Sequence, residues 1–149
     1  IAPQTAFYNM LGMETLGLRM ERCCHNALTL AQFLESQEGV KVNYPGLESS
    51  PWHDIANEQL HGGYGAIITI RVGSKEKAFA VMNKLTIPRI VSNIGDTKTL
   101  IVHPESTLNA HSTEQEKLDA NVYDDMIRIS VGIEDVEDLI EDFQKALAD

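Results

Sequence analysis

The sequence lacks long hydrophobic runs and has little positive charge. No apolar segment approaches the roughly 18 residues that a membrane-spanning helix requires. The 149 residues carry 12 Lys and Arg against 22 Asp and Glu, which gives a net charge of −10. A domain that binds nucleic acid or an anionic membrane needs a basic surface for phosphates, so neither partner is expected.

Cysteine is also scarce, because the chain has only Cys23 and Cys24. Adjacent helical residues point about 100° apart, so a disulfide between these two is not expected. The absence of a disulfide framework favours a reducing, cytoplasmic location. The first residue is Ile1 and nothing resembles a signal peptide, so we expect the chain to be a piece of a longer protein.

Hydrophobic residues make up 43% of the chain, enough for one domain with a core of its own. Residues 3–37 predict helix, because from Leu16 onward apolar side chains recur at steps of four and three. Gly12 and Gly17 weaken the first part of this segment. They predict a bend or two consecutive helices.

The rest of the chain alternates between strand and helix patterns. The predicted strands are residues 40–43, 66–72, 89–92, 99–103 and 126–131. The predicted helices are residues 54–60, 74–85, 112–120 and 136–147, with double capping-box signals before the third. We therefore predict an α/β, two-layer sandwich of the α+β type, with a mostly antiparallel sheet of about four to five strands. Helices cover one face, and a long N-terminal helix pair precedes the sheet.

Common catalytic and metal-binding motifs do not occur. There is no GxGxxG, no GxxxxGK[ST] and no GxSxG. The three potential ligands in "CCH" (23–25) should diverge around a helix, so no metal site is expected. His103 precedes Pro104 at the end of a strand, where it is expected to hold a turn.

Arg128 lies at the centre of the strand pattern "MIRISVG". Side chains alternate between the two faces of a strand, so Arg128 shares a face with Met126 and Ser130, opposite Ile127 and Ile129. The pattern alone favours a surface arginine on a solvated face. The alternative is an anion site, because a guanidinium presents a planar fork that matches a carboxylate.

Four acidic residues gather where the last helix begins. Their simplest role is a favourable interaction with the positive helix N-terminus, worth about 0.3–1 kcal/mol each. They are Glu134, Asp135, Glu137 and Asp138. From pattern alone, therefore, no reaction can be assigned.

Several segments taken together resemble a known family. They are "NYPGLES" (43–49), "SNIGDTKTLIVHPEST" (92–107) and "IRISVGIEDVEDLIEDFQKAL" (127–147). They are similar to the C-terminal small domain of the Cys/Met-metabolism PLP-dependent enzymes, which have fold type I, and residues 11–35 resemble the helix pair that opens that domain. The resemblance is greatest to the O-acetylhomoserine sulfhydrylases, with cystathionine γ-synthases and methionine γ-lyases as alternatives.

The resemblance implies a role for two residues. In the family, the arginine of the R-[IL]-S-x-G-[IL]-E motif binds the substrate α-carboxylate, and it corresponds to Arg128. The residue two before the glycine of the S/N-x-G-[GD] turn helps to hold the same carboxylate, and it corresponds to Asn93. The implied parent is a pyridoxal-phosphate-dependent transferase of methionine biosynthesis and transsulfuration.

One segment departs from the family. Where the family usually continues HP-x-S-x with Thr-His, this chain has Leu108 and Asn109, and His111 follows. The lysine that binds pyridoxal phosphate belongs to a large domain that would precede Ile1. Lys75 and Lys98 have the wrong context for it, being at a helix start and in a turn.

The resemblance therefore predicts a chain that has no catalytic residue of its own, binds no pyridoxal phosphate covalently and is inactive alone. The parent would be a homotetramer, and this domain alone a monomer or weak dimer with an exposed apolar surface along residues 5–20. The alternative of another class is a self-standing domain that binds a ligand or a partner.

Overall fold

The computed structural model describes residues 1–148. Within them lie six helices: α1 (Pro3–Glu14), α2 (Leu16–Glu35), α3 (His53–Gln59), α4 (Lys75–Lys84), α5 (Glu114–Asp119) and α6 (Val136–Leu147). The strands are β1 (Lys41–Asn43), β2 (Ile67–Arg71), β3 (Arg89–Ile90), β4 (Leu100–Val102) and β5 (Met126–Ser130). No helix among the described residues is both long enough and apolar enough to cross a membrane.

The predicted break in the N-terminal helix is confirmed, and it lies at Thr15, between the two glycines. The two helices differ in packing, because α2 buries one face in the core while α1 buries no side chain. Apolar side chains of α1 and the start of α2 are exposed, as predicted for residues 5–20. The largest exposed fractions belong to Phe7, Tyr8, Met10, Met13 and Leu18.

The five strands form one sheet in the order β1-β2-β5-β4-β3. The prediction of a mostly antiparallel sheet needs correction, because the sheet is mixed and β3 runs parallel to β4. An antiparallel pair can be joined by a short hairpin, whereas a parallel pair needs a longer connection. Here residues 91–99 form a longer loop that carries the chain back, so that β4 starts beside β3 in the same direction.

The two faces of the sheet differ in chemistry. The inner face is built of isoleucines, such as Ile68, Ile127 and Ile129, all fully buried. Helices α2, α4 and α6 pack on this face and complete the core. The helical layer therefore covers one face, and the outer face carries polar side chains such as Thr69 and Arg128 beside apolar ones such as Val102.

Residues 103–125 form a long excursion between β4 and β5, which is held by charge. The Glu105 carboxylate accepts hydrogen bonds from Lys75 Nζ at 2.7 Å and Lys117 Nζ at 2.6 Å. These bonds, that of Lys117 first, lower the pKa of Glu105 from 4.5 to about 2. Within the excursion, Thr113 forms a reciprocal capping box with Glu116, so the predicted α5 start is confirmed.

We expect Glu105→Gln to lower the free energy of unfolding at neutral pH, by an amount that becomes smaller in acid. The folded state holds the pKa of Glu105 below its ordinary value of 4.5, so the stabilisation is complete above that pH. It is lost as the pH falls towards 2. Urea unfolding of both proteins should give a difference in unfolding free energy at pH 7 that shrinks near pH 3. The exposed Glu48→Gln is the control, and an equal difference at both pH values would contradict the assignment.

The chain approaches itself closely just after β5. A Cβ atom added to Gly132 would lie 2.4 Å from the backbone oxygen of Thr97 and 2.6 Å from the carbonyl carbon of Lys98. Both are main-chain atoms and cannot rotate away. The turn after β5 therefore packs against the end of the 91–99 loop at a distance that only glycine permits.

Gly132→Ala should lower the free energy of unfolding by about 1–3 kcal/mol, because the new methyl group displaces backbone on one side or the other. Gly12→Ala is the matched control, since a Cβ there meets nothing within 4 Å and the residue lies within a helix. Alanine at that position should be neutral or stabilising by up to about 1 kcal/mol. Equal urea midpoints for the two variants would show that the approach at Gly132 is not tight.

Candidate functional site

Arg128 lies in the middle of β5, the central strand of the sheet, on the outer face. Its register partners are Thr69 on β2 and Val102 on β4. Thr69 is in turn opposite Asn43 of β1, whose side-chain amide donates to Thr69 Oγ1 at 3.3 Å. Since residues directly opposite share a face, a polar row runs from β1 through β2 to β5 on the outer face, and Arg128 is its one charged member.

The 91–99 loop brings Asn93 to the same place. The guanidinium Nη2 of Arg128 donates to the backbone carbonyl of Asn93 at 3.4 Å, and the Asn93 side chain is exposed. Within residues 1–148 this is the one hydrogen bond that the guanidinium makes, and it has no carboxylate partner there. The structure thus brings together the two residues that the resemblance singled out.

The far end of the loop is fixed by Glu134. Its carboxylate accepts the backbone N–H of Thr99 at 2.5 Å and the Thr99 hydroxyl at 2.9 Å. The hydroxyl oxygen in turn accepts the N–H of Gly132 at 3.0 Å. Pattern reasoning placed Glu134 with the acids of the helix start, but Asp135 is the N-cap of α6, and its side chain accepts from the N–H of Glu137.

Asn26 anchors this turn to helix α2. It is fully buried, and its Nδ2 donates to the carbonyl of Gly132 at 3.0 Å and to that of Glu134 at 2.8 Å. The same Glu134 carbonyl accepts from Arg22 at 3.2 Å. Sequence reasoning missed Asn26 and assigned Glu134 to the helix start. The available signals were a polar residue on the apolar face of α2 and an acid that closes the Gly-Ile-Glu turn.

A cavity of about 190 Å³ lies beside the turn, between the start of α2 and residues 94–97. Met20, Ile67, Ile94 and Ile133 give it a mostly apolar lining, and Cys23 also lines it. Burial is the main cause that raises the pKa of Cys23, so its thiol form is favoured. In the 91–99 loop, a hydrogen bond from the backbone N–H of Lys98 to the Asp96 carboxylate lowers the pKa of Asp96.

His103 lies directly after β4. It is buried, with Nε2 2.7 Å from the Asp124 carbonyl and Nδ1 2.8 Å from Ser106 Oγ. The carbonyl can only accept, so Nε2 carries the proton and the ring holds a turn, as predicted. His111 and Leu108 are exposed. Among residues 1–148, no three His, Cys, Asp or Glu side chains are arranged to hold a metal ion.

The lysines of the chain do not fit covalent attachment of pyridoxal phosphate. A Schiff base needs an amine that can lose its proton, through desolvation or a neighbouring cation. Lys75 and Lys117 share Glu105 instead, and Lys145 pairs with Glu141. Hydrogen bonds to these acids raise the pKa of Lys117 and of Lys145.

The remaining lysines occupy the surface in the part of the chain that the structure describes. Lys84 donates to the Ala148 carbonyl, Lys77 is half-buried on α4, and Lys41 and Lys98 are exposed. Neither Lys75 at a helix start nor Lys98 in a turn has the surroundings of a cofactor lysine. No cofactor chemistry can therefore be assigned to these residues.

The curated proteins that this chain resembles include enzymes that act on sulfur-containing amino acids or on homoserine esters. The chain is 42% identical over 147 residues to homocysteine synthase of Schizosaccharomyces pombe, covering 97% of this chain and 34% of that protein. It is 39% identical over 149 residues to L-methionine gamma-lyase of Fusobacterium nucleatum, covering 99% and 38%. O-acetyl-L-homoserine sulfhydrylase 1 of Thermus thermophilus is 42% identical over 150 residues, covering 99% and 36%.

A solved structure has the same fold. It is a Campylobacter jejuni protein described as an O-acetylhomoserine (thiol)-lyase, whose crystal structure contains N'-pyridoxyl-lysine-5'-monophosphate. The two superpose with a TM-score of 0.94 at 34% identity, covering 99% of this chain and 35% of that one. The chain spans 34–38% of the length of these three curated relatives. The sequence signature of one family matches residues 1–148. The chain belongs to the Cys/Met metabolism PLP-dependent enzyme family.

Proposed function

We propose that the chain is the C-terminal small domain of an O-acetylhomoserine sulfhydrylase, and that it binds the α-carboxylate of the amino-acid substrate. Arg128 and Asn93 form the binding pair, named here the carboxylate clamp. The observation that carries the proposal is the state of Arg128. It is a half-buried guanidinium without a carboxylate partner among residues 1–148, in a protein of net charge −10.

The geometry of the clamp suits a carboxylate. A guanidinium has five N–H donors, and the contact with the Asn93 carbonyl uses one of them. Two others can form the parallel pair of charge-assisted hydrogen bonds that a carboxylate accepts. The exposed amide of Asn93 can donate a further bond to the same group. A substrate held in this way has a fixed orientation, which can contribute several kcal/mol to catalysis.

The reaction of the whole enzyme is proposed from the activities of its relatives. Sulfhydrylase activity on O-acetylhomoserine is favoured by the 42% identity to the Thermus thermophilus sulfhydrylase. Methionine γ-lyase activity is the second candidate, favoured by the 39% identity to the Fusobacterium nucleatum lyase. The clamp serves either reaction, because both substrates are α-amino acids.

We further propose that the chain is inactive alone, since its lysines do not fit the cofactor. The bare apolar surface of α1 is consistent with a missing large domain, because exposed apolar patches commonly mark contact surfaces. In the parent, that domain would supply the cofactor and most contacts of a homotetramer. The isolated chain would be a monomer or weak dimer, and its free cysteines suit a cytoplasmic enzyme.

In the complete enzyme, Arg128→Ala should raise KM for the amino-acid substrate and lower kcat/KM by about 10²–10³-fold. Truncating one side of a hydrogen-bonded charge pair typically costs about 2–5 kcal/mol. Arg89→Ala removes an exposed arginine from the edge strand β3 and serves as the control. Steady-state kinetics with saturating cofactor distinguish the two variants. Unchanged kinetics in Arg128→Ala would refute the clamp.

The chain alone, mixed with pyridoxal phosphate and reduced with borohydride, should show no saturable attachment at a single lysine. Peptide mapping by mass spectrometry is the measurement, and the complete enzyme treated in the same way is the positive control. Calorimetry with amino acids then tests the self-standing alternative. Tight binding of an amino acid by the chain alone would favour a ligand-binding module over a domain that holds half of a site.

A further inference from the structure

We propose that Glu134 is a positioning residue that holds the carboxylate clamp together by acting through Thr99. The inference rests on the proposed function, because it concerns the relative position of Arg128 and Asn93. Glu134 itself does not touch the substrate-binding atoms. It fixes the loop that carries one of them to the strand that carries the other.

The two halves of the clamp belong to different parts of the chain. Arg128 is fixed in β5 by ladder hydrogen bonds on both sides, to β2 and to β4. Asn93 belongs to the 91–99 loop, outside any strand, and its side chain is exposed. The position of Asn93 is therefore only as well defined as the two attachments of its loop.

The first attachment is to the short edge strand. The N–H of Val91 donates to the Ile101 carbonyl at 3.1 Å, and that of Arg89 donates to the Thr99 carbonyl at 2.9 Å. Strand β3 has only two residues, so these bonds tie the loop to itself and to β4. They tie it to β5, where Arg128 lies, only through the ladder between β4 and β5.

The second attachment is the Glu134 contact, and it joins the loop directly to the end of β5. Thr99 is fully buried, and its hydroxyl donates to Glu134 while accepting from the N–H of Gly132. The carboxylate accepts the Thr99 N–H as well. A bond from the Ile133 N–H to the Thr97 carbonyl, 2.9 Å long, closes the same junction.

In the junction, both oxygens of the partly buried Glu134 carboxylate accept a hydrogen bond from Thr99. Replacing one of these oxygens should therefore weaken it. A glutamine at position 134 would keep one carbonyl oxygen, but its NH₂ group would face an N–H or O–H donor of Thr99. At least one hydrogen bond to a charged group would be lost, which is worth roughly a 10- to 100-fold change in an equilibrium constant. The loop would then sample positions in which Asn93 is away from Arg128.

The experiment uses the complete enzyme and compares KM with kcat. Glu134→Gln should raise KM for the amino-acid substrate about 10- to 100-fold and change kcat by less than about threefold, since ground-state binding is what is lost. Glu137→Gln removes an exposed acid of the adjacent helix turn and should leave both constants unchanged. A wild-type KM in Glu134→Gln would overturn the inference.

Thr99 provides an independent pair of variants. Thr99→Val keeps the shape and removes the hydroxyl, so it should raise KM as Glu134→Gln does. Thr99→Ser keeps the hydroxyl and should restore a KM near that of the wild type. If Glu134→Gln does not fold, this pair carries the test. An equal KM in the valine and serine variants would overturn the inference.

A double-mutant cycle separates this inference from the proposed function. If Glu134 acts through the clamp, Glu134→Gln should have little further effect on KM in an Arg128→Ala background. Full additivity of the two effects would reject the positioning role while leaving the clamp intact. If instead Arg128→Ala alone leaves KM unchanged, the proposed function fails, and the positioning role fails with it.

Discussion

The site depends on one contact, in which the backbone after β5 lies against the backbone that leads into β4. The contact requires glycine at position 132, because any side chain would meet the Thr97 carbonyl. Once these two backbone segments are this close, Glu134 and Thr99 come within hydrogen-bonding reach, and Asn26 can donate to the carbonyls of the same turn. The close approach at Gly132 thus helps to fix the position of the 91–99 loop.

The sheet adds a second constraint by separating apolar from polar chemistry. The buried isoleucines of β2, β4 and β5, such as Ile68, Ile101 and Ile129, face the helical layer, so period-two alternation sends Arg128 and Thr69 to the other face. That face is partly exposed around Arg128 and Thr69, where it can serve as a surface for a ligand. Although the chain has a net charge of −10, no carboxylate among the described residues pairs with this arginine, which suits a group that must receive an anion.

Much of the fold was predictable from periodicity and caps. The N-terminal helix pair, the position of β5 and the capping box at Thr113 all follow from local signals. The parallel pairing of β3 was not predictable, because two strand residues carry almost no pattern and the direction depends on the path of the loop. The Arg128–Asn93 contact came from family resemblance, and no local rule pairs residues that lie so far apart. Glu134 was misread for the same reason: its partner Thr99 is distant in sequence, while the helix start is adjacent.

Helix α1 stands apart from this network, since none of its side chains is buried. A helix of 12 residues is marginal in water unless tertiary contacts offset the unfavourable nucleation step. Docking of its apolar side chains on a further surface would supply such contacts. Formation of α1 and its docking would then be one coupled event. The cooperative unit of the isolated chain would begin at α2, and amide hydrogens of α1 would exchange with solvent well before those of the sheet.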